Sequence, residues 1–130
     1  MKIYITGNSI VPEDNGPIML MPKLMELLPE CEYIKADPTE NFIPEDGSLI
    51  VDTVTGIERI QLFDDIYQFS SVQHVSMHDF DLSFHLRFLD KLHKLARVQI
   101  IGIPQYYATE SAAREVADLI RTVIKEREKK

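Results

Sequence analysis

The stretch "SLIVDTV" (Ser48–Val54) is apolar or β-branched at almost every position rather than at alternate ones. A continuous apolar run of strand length is the pattern of a strand covered on both faces, as in a parallel sheet between helices. Asp52 breaks the run. A carboxylate inside such a strand is costly unless it is paired, protonated or metal-bound. One segment therefore sets both the expected fold class and the first candidate for function.

Working outward, "RVQIIGI" (Arg97–Ile103) is a second buried strand, stopped by Pro104. "KIYIT" (Lys2–Thr6) and "CEYIKA" (Cys31–Ala36) are shorter strands, ended by Gly7 and by "DPTEN". "ERIQLF" (Glu58–Phe63) alternates, which suits a sheet edge, and "VQHVS" (Val72–Ser76) is one more short strand candidate. Helical spacing links Ile18, Met21, Leu24, Met25 and Leu28. Pro22 falls inside that pattern, so the regular helix is expected to start near Met21 or to kink. "DDIYQF" is a helical turn. From Asp81 a helix carries Leu82, His85, Leu86, Leu89, Leu92, His93 and Leu95 on one broad face. A last helix starts at Thr109, an N-cap residue type, with Ala112, Ala113, Val116, Ala117, Leu119, Ile120, Val123 and Ile124 in its apolar stripe. Between the second and third strands lie only about a dozen residues with no helical pattern, barely enough for a crossover. The expectation is a single domain over 1–130 of α/β class, a three-layer α/β/α arrangement with a mostly parallel twisted sheet of about five strands.

The totals narrow the function. Hydrophobic residues make up 45% of 130, enough for a core. A net charge of −7 argues against a nucleic-acid partner, which needs a basic stripe. Cys31 is the only cysteine, which excludes an internal disulfide and a thiolate cage and suits a reducing, cytoplasmic setting. "MKIYITG" is too short in apolar length for a signal peptide, and no apolar run reaches the ~20 residues of a membrane span. A monomer is expected.

In open α/β sheets, sites form beyond the carboxyl ends of the strands. The polar residues placed there are Glu13 and Asp14, Asp37, Asp52, His78 and Gln105. Asp14, Asp52 and His78 make a mixed oxygen and nitrogen set drawn from three segments. Singly, Asp14 before Asn15-Gly16 reads as a turn or cap, and His78 as a helix-capping or exposed histidine. Asp52 could instead pair with a buried cation such as Arg97. His85 and His93 read as packed core or rim residues, and His74 as facing outward. The chain has no Gly-x-Gly-x-x-Gly after its first strand, no P-loop lysine, no His-Glu-x-x-His and no Gly-x-Ser-x-Gly. Glu13, Asp14 and Asp52 also suggest the acidic pocket of a phospho-acceptor receiver domain. That pocket uses a lysine after the last strand, where this chain has "IIGIPQ".

In this combination the chain resembles the maturation endopeptidases of [NiFe] hydrogenases. Gly7-Asn8 is followed by Glu13-Asp14 six and seven residues after the glycine, "LIVDTV" matches the family's Val-Asp strand end, and "SMHDFDL" its Ser/Thr-x-His. The likeness continues through "IERIQLFDD", "VQIIGIPQ" and the terminal helix. It departs at Asn15, where the family usually has glycine, and at "ADPTEN", which keeps Asp37 but not the family's glycines. The resemblance implies a nickel-dependent endopeptidase that trims the C-terminal extension of a hydrogenase large-subunit precursor after nickel insertion. Asp14, Asp52 and His78 would be its metal ligands and catalytic set, with Asn8, Glu13 and Asp37 toward the substrate. Nickel would come with the precursor, and no organic cofactor is expected. The alternative is a non-catalytic relative that binds a metal or metalloprotein through the same three residues.

Overall fold

Parallel pairing follows from the two apolar runs. In the computed structural model, which describes residues 1–6, 16–36, 42–54, 57–70, 77–105, 107 and 109–129 (backbone alone at 16, 70, 77–81 and 109), they lie side by side. Strand β3 (Leu49–Val54) pairs in parallel with β5 (Gln99–Pro104) along its whole length and with β1 (Lys2–Ile5) on its other side. β2 (Glu32–Lys35) is parallel to β1, and the short β4 (Gln61–Phe63) runs antiparallel to β5 at the edge. The order is β2-β1-β3-β5-β4. Every residue of β3 is buried, as a strand between two helical layers requires.

Side-chain alternation divides the core in two. Ile3, Ile5, Leu49, Val51, Ile101 and Ile103 pack against helices α1 (Gly16–Leu27) and α4 (Thr109–Glu128). Tyr4, Ile50, Val54 and Ile100 pack on the other face against α2 (Ile66–Ser70) and α3 (Met77–Lys91). The two helical layers and the sheet between them match the three-layer α/β/α expectation.

Three expectations need correction. Of the two outcomes expected at Pro22, the start near Met21 is overturned: α1 begins at Gly16 and holds Pro22 in its interior. Pro22 is exposed, so the carbonyl left without a donor one turn earlier can turn to water. α3 begins at Met77 rather than Asp81, so His78 is its second residue and not part of a preceding loop. Ser76, directly before it in the chain, is a residue type favoured at helix starts, a signal that the Asp81 start passed over. His93 is not on the apolar helix face. It is exposed and left-handed at φ 57°, and the Lys94 amide bonds back to Leu89 O at 2.9 Å, which closes the end of α3. His85 matches its rim reading: half-buried, it meets the Phe42 carbonyl through Nε2 and stacks on the Phe42 ring. "VQHVS", and His74 with it, lies outside the described residues.

Candidate functional site

From β1 the chain moves outward to β2, and the later strands are added on the opposite side of β1. The boundary of β1 and β3 is therefore the topological switch point, where an open α/β sheet leaves a crevice at its carboxyl edge. The two strands meet there through Thr6 and Asp52. The Thr6 amide extends the ladder to Val51 O at 3.1 Å. Its hydroxyl lies 2.6 Å from Asp52 Oδ1 and 3.0 Å from Val51 O. One hydroxyl proton serves the shorter contact best, because a carboxylate is the stronger acceptor. Thr6 and Asp52 are both 0% exposed.

Asp52 alternates with Ile50 and Val54, so its side chain faces the α2/α3 layer. Opposite it in β5 stands Gly102. A Cβ at Gly102 would come within 2.8 Å of Phe63 Cε2 and 2.9 Å of Val54 Cγ2, so side chains of the neighbouring strands fill the room that glycine leaves. Against this packing, Asp52 Oδ2 is buried with no hydrogen-bond partner among the described residues. The neighbouring Thr53 Oγ1, on the opposite face, is likewise unpartnered among them. A buried carboxylate oxygen without a donor is costly, and such an atom calls for a proton, a donor or a cation.

The other two members of the set reach this edge through their helices. The chain enters β2 and β5 at the amino edge, where Glu32 N bonds Met1 O and Gln99 N bonds Ser48 O. Helices α1 and α3, which lead into those strands, therefore start at the carboxyl edge. His78, second in α3, starts on the face toward which Asp52 points. Its side chain is outside the described atoms. Asp14 precedes α1 by two residues in the sequence and lies outside the described residues, as do Asn8, Glu13 and Asp37. Among the described residues, no group of three or more His, Cys, Asp or Glu side chains gathers to hold a metal. Asp52 thus stands as the one fully described member of the set.

The pairing of Asp52 with Arg97 is overturned. Arg97 is exposed and precedes β5 at the amino edge, five residues before Gly102, the β5 neighbour of Asp52. That is roughly 16 Å of extended strand. Thr6 is the partner that reasoning from the sequence missed. The available signal was its place at the end of an apolar strand, in step with Tyr4 on one face of the sheet.

No protein-family model matches the chain, and no curated protein does. Solved structures do. The hydrogenase maturating endopeptidase HybD from E. coli superposes with a TM-score of 0.69 at 12% identity, over 97% of this chain and 92% of that one. The hydrogenase 3 maturation protease gives 0.61 at 20% identity, over 90% and 86%. The [NiFe] hydrogenase maturation protease HycI from Thermococcus kodakarensis KOD1 gives 0.57 at 18% identity, over 95% and 91%. The likeness read from the sequence motifs therefore extends to a shared fold over most of the chain.

Proposed function

We propose that this chain is an endopeptidase that removes the C-terminal extension of a [NiFe] hydrogenase large-subunit precursor after nickel insertion. The observation that carries the reading is Asp52: a fully buried carboxylate with one oxygen unpartnered among the described residues, at the switch point of a fold shared with hydrogenase-maturing proteases. Nickel belongs to the substrate in this reading. Asp14, Asp52 and His78 supply two carboxylates and an imidazole, a donor set that suits a borderline divalent metal.

The chain's own part is to recognise and position. Asp52 Oδ2 is the open acceptor that meets the substrate's metal. Thr6 holds Oδ1 and so fixes the rotation of the carboxylate, as an outer-shell partner does for a metal ligand. The floor of buried β-strand around Asp52 keeps water from competing with that contact. A metal so held can polarise the scissile carbonyl, and water then adds across the amide bond to leave a new carboxyl terminus and a free amine. The lone Cys31 needs no oxidising compartment, and we place the protein in the cytoplasm.

One observation favours the non-catalytic alternative. The connection from β2 to β3 is short, and its described part, residues 42–48, holds no helix or strand. The deciding experiment incubates the protein with nickel-loaded precursor and reads the precursor's mass. Loss of a C-terminal fragment with the wild type and not with Asp14→Ala supports the endopeptidase. Stable binding of the loaded precursor without any shortening supports the alternative.

A further inference from the structure

Helix α3 keeps an apolar stripe in water. Phe84 is 65% exposed and Phe88 51%, one turn apart. Their rings stack at 6.5 Å with only 4° between their planes. Large apolar side chains grouped on a surface mark interaction sites more often than scattered ones do. The pair walls a groove of 280 Å³, with Ser83 at its base and Arg87 and Lys91 completing the lining. Among the described residues neither cation forms an ion pair, although acidic residues outnumber basic ones by 21 to 14 in the chain. The groove is thus a local patch of aromatic faces and positive charge, without an ion pair among the described residues, on an acidic protein.

That chemistry selects its occupant. Stacked aromatic faces take an apolar side chain, and Arg87 and Lys91 on the same helix face take carboxylates beside it. We propose that this face of α3 docks an acidic, apolar segment of the precursor, apart from the residues that are cut. The proposal rests on the function argued above. The position fits it: Phe84 and Phe88 lie six and ten residues after His78, about 9 and 15 Å along the helix from the carboxyl edge. A segment held there would lie on the same helix whose start sits at the carboxyl edge.

The test measures calorimetric affinity for the nickel-loaded precursor alongside its cleavage. Two variants are used, Phe84→Ser with Phe88→Ser, and Arg87→Glu with Lys91→Glu. All four side chains are exposed, so the melting temperature should hold. If the serine pair unfolds the protein, the charge-reversal pair carries the test alone. Each pair should weaken binding about tenfold or more, the effect of losing an interface anchor. With the charge-reversed protein, added salt should no longer weaken binding. Cleavage with unchanged affinity in both folded pairs overturns the docking face and leaves the endopeptidase standing. Weakened binding in the variants with no cleavage by the wild type does the reverse. No binding of the precursor by the wild type overturns both.

Discussion

The two ends of β3 treat their buried polar side chains in opposite ways. At the amino end Ser48 is 2% exposed, and its hydroxyl donates to Glu45 O at 2.7 Å. Around it Gly47 N donates to Arg97 O at 2.8 Å, Gly47 O accepts from Arg127, and Arg127 also donates to Gln99 Oε1 at 2.6 Å. At the carboxyl end Asp52 keeps one oxygen open and Thr53 its hydroxyl, among the described residues. Among the described residues, one strand, buried throughout, therefore closes its hydrogen bonds at one edge and leaves them open at the other. Buried polar atoms are nearly always satisfied in folded proteins. The closed end reads as structure, and the open end as a place kept for a ligand.

Substitutions at the two ends can break or sharpen that contrast. The largest effect is expected from Asp52→Ala, which removes the open acceptor and should lower precursor processing about hundredfold or more. Single-turnover cleavage of loaded precursor measures it, and near-normal cleavage would remove Asp52 from the site. Gly102→Ala should destabilise by about 1–3 kcal/mol, since the new methyl meets Phe63 and Val54 inside contact distance. Urea melts report that cost. Thr6→Val keeps the shape but frees the carboxylate to rotate, and should slow processing about tenfold. A slowing that Thr6→Ser reverses would mark the hydroxyl, rather than packing, as the cause.

The smallest pair is the most direct comparison. Ser48→Ala should cost about 1 kcal/mol, because a satisfied buried bond is lost. Asp52→Val should cost nothing or raise stability, because an open buried carboxylate gives way to an apolar side chain while Thr6 can still turn to Val51 O. Equal losses at both ends would mean that Asp52 is held as firmly as Ser48, and the contrast would fail.

Much of this was legible in the chain itself. The mainly apolar, non-alternating runs at 48–54 and 97–103 call for burial on both faces, so parallel central strands follow from pattern alone. The alternation of "ERIQLF" placed it at an edge, where β4 lies, and the apolar stripe from Thr109 matches α4. Asp52 stood out because a charge within an apolar run has few inexpensive explanations. Helix starts were less legible. Pro22 in the sequence points to a late helix start or a kink, and the surface position that makes it tolerable inside α1 is a tertiary fact.

The sequence by itself determined the class of fold, the two buried central strands and the oddity of Asp52, because those depend on residue type and local period. Only the tertiary structure decided what Asp52 meets. A side-chain partner 46 residues away depends on strand order and register, and these place Thr6 beside it and Arg97 at the far edge. The same long-range packing sealed the amino end of β3 and, among the described residues, left an acceptor open at its carboxyl end.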